Sequence, residues 1–241
     1  YIRQYPERPD GYYFRATGLS WRLFLLERDA DPEPLKSRFE KALDDCQQRA
    51  ERAAKTDSME LSGTGYLAAV FGQKALLALI DRRWLVMAPM AKRAWEYIDK
   101  ALEMDPTYYD LYFGRGIYLY FTDVLPDIVR VLAVAYGFEG DKQEGLANMW
   151  LAARRGFYSR DASRVMLMNI YSILEEPTDR ILQESELLLE EYPDNPLIHW
   201  RRGDLLLRDE QYGPAREVFR EVLARIEAEQ PYYDNRMFTK W

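Results

Sequence analysis

Catalysis by a bare polypeptide starts from nucleophiles, bases and metal ligands, and this chain holds few of them in useful spacing. His199 is its sole histidine and Cys46 its sole cysteine. A side-chain nucleophile needs a base within hydrogen-bond reach, most often histidine. His199 stands beside Trp200 in a helical run, far along the chain from Cys46, and no triad accompanies either. Zinc sites need several His or Cys at short spacing, which one of each cannot supply. Gly137-Phe138-Glu139-Gly140-Asp141 has the glycines of a phosphate loop, but no strand precedes it and no Lys-Ser/Thr pair closes it. It reads instead as a turn in which Gly140 supplies left-handed backbone and Asp141 caps the next helix. Glu190 and Glu191 are adjacent, and neighbours on a helix point about 100° apart, so they make no dyad. The expectation is a protein that is not an enzyme and uses neither metal nor cofactor.

The elements that would position any site are helices. Apolar residues recur at helical spacing nearly throughout, and no stretch alternates as a strand must. Asp31-Pro32, Asp105-Pro106, Glu176-Pro177, Asn195-Pro196 and Gly213-Pro214 put proline at or near a first helical position, where its missing N–H costs nothing. The pattern predicts ten main helices, roughly 9–28, 33–56, 59–81, 86–104, 107–122, 141–155, 160–175, 177–192, 196–209 and 213–229, with a shorter apolar one over 125–137. Joined by short turns they form about five antiparallel hairpins, and a hairpin with one apolar face buries it only against the next. The expected fold is all-α, a right-handed α-α superhelix in one domain spanning 1–241, with an insertion at 124–137.

Charge limits the partners. The formal net charge is −7, which argues against nucleic acid and anionic membrane surfaces. From Glu175 to Glu229 there are 15 acids against 7 bases, so this stretch carries the whole deficit. No apolar run is expected to be long enough to span a bilayer, which needs about 20 residues. A lone cysteine excludes an intrachain disulfide and leaves cytoplasm and cell envelope equally open. Beginning at Tyr1 and stopping just after Pro231 and Tyr232, where another helix is expected, the chain reads as part of a longer one, its targeting segment lying elsewhere.

Two prolines and two glycines carry a resemblance. Pro106 to Gly116 and Pro193 to Gly203 are each ten residues apart, each pair between amphipathic runs. Gly203, Tyr212, Ala215 and Phe219 match one tetratricopeptide unit; Ala94, Ile98, Ala101 and Pro106 match the end of another, and Tyr112 with Gly116 the start of the next. Gly18, between Phe14 and Trp21, suggests an earlier one. The chain thus resembles a tetratricopeptide-repeat (TPR) protein from about Ala94 to Val222, and more loosely before that. Residues 124–157 resemble a segment of the inclusion-body clearance family of TPR proteins, in which an apolar helix and a Gly-Phe-x-Gly-Asp turn interrupt a repeat. Helices near 33–56 and 59–81 exceed the standard period.

In this family first helices line a concave groove that holds another protein. Carrying repeat positions outward from each glycine places Tyr12, Arg15, Leu19, Arg22 and Leu23, then Asp110, Phe113, Ile117, Tyr120 and Phe121, then Leu197, Trp200, Asp204, Leu207 and Arg208 in the groove. Such a groove, aromatic with scattered charge, suits an apolar peptide or helix. The aromatic run 108–121 suits a core stripe equally well. The carboxylate clamp of Lys, Asn and Arg found in some relatives is missing, with Asp110 and Asp204 in its way. A basic cluster of Arg154, Arg155, Arg160 and Arg164 reads as solvated helix-end charge. The competing functional reading is a carrier of lipid or a small hydrophobic ligand, using the apolar helix at 124–137. Self-association is a third, since terminal repeats without a polar cap expose apolar faces.

Overall fold

Helices begin where side chains can take up the first free N–H groups. In the computed structural model, which describes residues 1–24, 31–124 and 137–233, Asn195 accepts from the amides of Leu197 (3.0 Å) and Ile198 (3.4 Å), with Pro196 as the first helical residue. Thr178 accepts from Ile181, and Asp141 accepts from Glu144 at 2.8 Å, the cap expected of it. Among the described residues the helices are α1 (Asp10–Phe24), α2 (Glu33–Ala53), α3 (Glu60–Ile80), α4 (Trp84–Met104), α5 (Leu111–Asp123), α6 (Lys142–Arg155), α7 (Arg160–Ile173), α8 (Asp179–Glu191), α9 (Pro196–Arg208) and α10 (Tyr212–Glu227), with a 3-10 turn at Asp57–Met59 and no strand. The predicted helix at 125–137 lies, but for Gly137, outside the described residues, as does 25–28 of the first.

Some boundaries move for identifiable reasons. α5 starts at Leu111 rather than 107 because Asp105 accepts from both the amide (2.8 Å) and the hydroxyl (2.6 Å) of Thr107, holding a turn at Pro106. α4 starts at Trp84 and contains Pro89, which lies exposed in its second turn; the carbonyl it leaves without a helical donor belongs to Leu85, also exposed. Left-handed backbone falls at Gly137 (φ 80°) and not at Gly140, whose α-carbon instead packs on the backbone of Asp123.

The described chain divides into two compact units, Tyr1–Phe157 and Tyr158–Trp241, where one repeat domain was expected. Inside the first, each odd helix packs on the even helix that follows it (α1 on α2, α3 on α4, α5 on α6). It also packs on the even helix before it and on the next odd one (α1 on α3, α3 on α5). Three apolar clusters follow this order. Tyr12, Ala16, Leu19, Phe39, Leu43, Cys46, Val70 and Leu77 join α1, α2 and α3; Leu67 and Phe71 meet Ala50 and Ala94; Ala68, Ile98, Ala101 and Leu111 join α3, α4 and α5. In the second unit α9 packs on α7, α8 and α10, around fully buried Leu167, Ile170, Ile181, Leu188, Ile198, Leu205 and Val222.

α3 is central, and it corrects the expectation that no apolar stretch could span a bilayer. Asp57–Ile80 is long and apolar enough by length and composition, yet 56% of its most apolar window is buried in the unit. It is the helix that touches α1, α2, α4 and α5.

The α3–α4 and α9–α10 hairpins share one turn. Arg82 (φ 56°) and Glu210 (φ 59°) are left-handed. The next residues, Arg83 (φ −90°, ψ 66°) and Gln211 (φ −81°, ψ 63°), are nearly superposable. Arg83 N–H donates to Ala78 O at 2.8 Å and Gln211 N–H to Leu206 O at 2.9 Å, each closing a Schellman-type helix end without glycine.

Candidate partner-binding surface

Within the first unit the outward stripe of α3 follows from its contacts. Tyr66, Val70 and Leu77 turn toward α1: Tyr66 lies 5.6 Å from the Tyr13 ring, and Val70 and Leu77 share a cluster with Tyr12 and Leu19. Burial raises the Tyr13 hydroxyl's pKa, against the influence of nearby Gln73 and Thr17. Toward α5, Gly65 lies under the Tyr108 ring and Ala68 packs with Leu111. At 100° per residue, Ala69, Gly72, Leu76 and Ile80 fall between those two faces. Ala69 is half-buried and the other three are exposed, Leu76 at 38%.

Neighbouring helices extend this stripe. On α1, Phe14 and Trp21 stand out at 46% and 55% exposure. On α5, Asp110, Phe113 and Ile117 are half-buried and Phe121 is exposed, all at one-face spacing. The other faces of α5 are occupied. Arg115 bonds Asp99 (3.5 Å) and Glu144 (3.1 Å), and Tyr118 stacks between Trp95 (4.3 Å) and Phe138 (5.6 Å). Burial pushes the Tyr118 hydroxyl up to about 12 and raises Asp99 against the pull of Arg115.

The expected groove residues divide accordingly. Tyr12, Leu19 and Tyr120 are buried in the core, Tyr12 beneath the Arg49 guanidinium at 3.9 Å. Leu23 packs half-buried on the same cluster. Arg15 and Arg22 are exposed on α1. Gly18 is exposed with nothing within 4 Å of a Cβ built there, so none of the described helices approaches at that glycine.

In the second unit Leu197, Trp200 and Asp204 are half-buried, while Leu207 and Arg208 are exposed. Trp200 meets Phe219 edge-on at 5.5 Å. Burial raises the Asp204 pKa despite a 3.2 Å bond from Arg201. Arg208 donates to Glu175 O at 3.0 Å. Arg201 also donates to Asn169 Oδ1 at 2.8 Å, tying α9 to α7.

Sequence reasoning missed Phe14, Trp21, Gly72 and Leu76. α3 is apolar all round, so no polar face marked its outward side; the available signal was exposure of the i, i+3, i+7 series 69, 72, 76, visible only once both neighbours are in place.

The basic cluster also needs correction. Arg154 and Arg155 are exposed, but Arg164 is buried (5%) and bonds Glu184, Glu191 (2.7 Å) and Asp161 (3.4 Å). It fastens α7 to α8 and is no part of a solvated patch.

The two reactive side chains are committed to structure. Cys46 is buried, donates to Pro9 O at 3.4 Å, and its thiol is pushed up to about 12 by burial. His199 Nδ1 lies 2.6 Å from the Tyr233 hydroxyl in a buried hydrogen bond, and Arg225 sits over that tyrosine ring at 5.3 Å. Burial first, then Arg225, depresses the His199 pKa. His199 is therefore neutral in the fold. Protons bind the unfolded chain first as pH drops through about 6.5. Stability from this site is complete above that pH and declines until the lower folded value is reached. As the single histidine, His199 gives one imidazole C2 proton signal in NMR, expected to titrate below 6.5; a midpoint at or above 6.5 would contradict the buried neutral assignment. No cluster of metal-ligating side chains occurs among the described residues.

No protein-family model, curated protein or solved structure matches this chain.

Proposed function

We propose that this protein is a non-enzymatic interaction scaffold of the tetratricopeptide kind, holding an apolar or amphipathic segment of another protein along the exposed stripe of α1, α3 and α5. The observation that carries the reading is the α3–α5 part of that stripe: Gly72, Leu76 and Phe121, exposed, with half-buried Ala69, Phe113 and Ile117, on two neighbouring odd helices. Packing needs explain buried apolar residues, and apolar side chains exposed side by side on neighbouring helices support a docking role. Arg15, Arg22 and Asp110 supply charge at its margins. The finer architecture, a right-handed TPR-like superhelix, is supported by the order in which odd and even helices pack within each unit and by the turn that two hairpins share.

The test is capture of partners from the native cell by the intact chain and by a Leu76→Asp, Phe121→Asp variant. Both positions are exposed, so the circular dichroism spectrum should not change. The expected result is at least a tenfold loss of the specifically captured protein, as for residues at the centre of an interface. Equal capture by both chains would refute the assignment of this surface.

A further inference from the structure

The shared turn gives an internal control for a second surface. At α9–α10 it reads Asp209-Glu210-Gln211-Tyr212-Gly213-Pro214, polar and acidic; at α3–α4 it reads Asp81-Arg82-Arg83-Trp84-Leu85-Val86 on the same backbone. The turn geometry therefore does not require the apolar and basic residues found at the second. Trp84 is 52% exposed, Leu85 84%, Val86 38%, and Leu79 and Ile80 on the preceding turn 42% and 57%. Few soluble surfaces leave a leucine that bare beside a tryptophan. The opposite end of the unit differs: its turns read Lys55-Thr56-Asp57-Ser58 and Asp105-Pro106-Thr107.

Charge at the tip complements an anionic surface. Between residues 76 and 93 the cations are Arg82, Arg83, Lys92 and Arg93, and the single anion, Asp81, is held by Lys36 at 2.6 Å and by Arg83 at 3.8 Å. The acidic excess that argued against membranes is carried by 175–229, outside this unit. The residues also project from a convex turn. A bilayer interface accepts such a projection, with tryptophan at headgroup level and arginines on phosphates, whereas a protein partner must supply a matching pocket.

We propose that the α3–α4 tip is a membrane-surface anchor: Ile80, Trp84 and Leu85 enter the interface of an anionic bilayer, and Arg82 and Arg83 bind its phosphate headgroups. Of the outward α3 series that ends at Ile80, the tip takes only that last residue.

The experiment is co-sedimentation of the full chain with vesicles of phosphatidylcholine containing 30% phosphatidylglycerol (about a third anionic, a common probe of this attraction) and with pure phosphatidylcholine. Binding is expected to the anionic vesicles and to weaken with salt. Arg82→Ala with Arg83→Ala should reduce it roughly 30-fold, at about fivefold per arginine. Arg82→Glu, Arg83→Gln, Trp84→Tyr and Leu85→Gly together transplant the first five residues of the second unit's turn onto the same backbone, keeping Val86, and should abolish binding with the fold intact. Absence of binding by the parent chain would overturn the proposal, as would undiminished binding by the transplanted turn. So would a concentration-dependent dimer that the transplant abolishes without any vesicle binding, which would assign the tip to protein contact.

Discussion

Replacing Arg164 with leucine is expected to cost about 3 kcal/mol of stability, because removing one member of a buried ion cluster strands the others. The guanidinium is nearly inaccessible and holds Glu184 and Glu191 of α8 together with Asp161 of its own helix. Burial alone would lower the Arg164 pKa, but Glu191 and Glu184 outweigh it and hold it above its ordinary range, so it is charged at any usable pH. Tyr192 extends the cluster with a 2.6 Å bond to Asp161, whose pKa burial would raise but which the bonds from Tyr192 and Arg160 hold below its usual value. Stability from Asp161 is therefore present above about pH 4 and lost as acid carries it through its lower folded pKa. Urea unfolding of the full chain, with hydrogen exchange read at α7 and α8, checks the magnitude. Pairing Arg164→Leu with Glu184→Leu should recover part of the loss, since two apolar groups replace a desolvated pair. A single substitution that costs less than about 0.5 kcal/mol, as a solvated surface charge would, contradicts this placement.

Gly116→Ala is the second large effect, expected to cost about 3 kcal/mol, at the upper end for overpacking. A Cβ at Gly116 would lie 2.7 Å from Gly145 O and 2.9 Å from Met149 N, backbone atoms of α6 that cannot swing aside. Gly145 returns the contact, its own Cβ position being 2.6 Å from Tyr120 N. Two helices touch backbone to backbone there. Gly203→Ala should cost less, near 1 kcal/mol, because what it meets is the half-buried Phe219 ring, a side chain able to shift. Gly18→Ala should raise stability by up to about 1 kcal/mol, the helix propensity difference, since its site is open. Thermal denaturation of the three variants tests the order; equal losses at all three would mean that the glycines serve one common purpose.

These three glycines also show what the sequence could convey. Spacing alone gives all three the same place in a repeat unit, yet a second helix lies across that place at Gly116 and Gly203 and not at Gly18. Spacing reports local helical phase; whether another backbone arrives at that phase is a tertiary fact. Helix starts were legible where a side chain makes the cap, as at Asn195 and Asp141. They were misplaced at α5, where an Asp105 turn competes with the helix. The α3–α4 break was legible between 81 and 86, but its turn type was not, because arginine occupies a left-handed position in which glycine would be expected. Of the expected groove, Phe113, Ile117 and Phe121 remain at or near the surface, whereas Tyr12, Leu19 and Tyr120 are core. Aromatic residues satisfy either demand, so only the neighbouring helices decide between them.

The central claim is that partners sit on the odd helices of the first unit. A photo-reactive phenylalanine analogue placed singly at Leu76 or Ile117, and at exposed Arg38 or Asp44 of α2 or Glu96 of α4, reads this directly by cross-linking in the native cell. The account predicts one shared cross-linked protein from the α3 and α5 positions and none of it from the even helices. Equal or stronger cross-linking of that protein from α2 or α4 would contradict it.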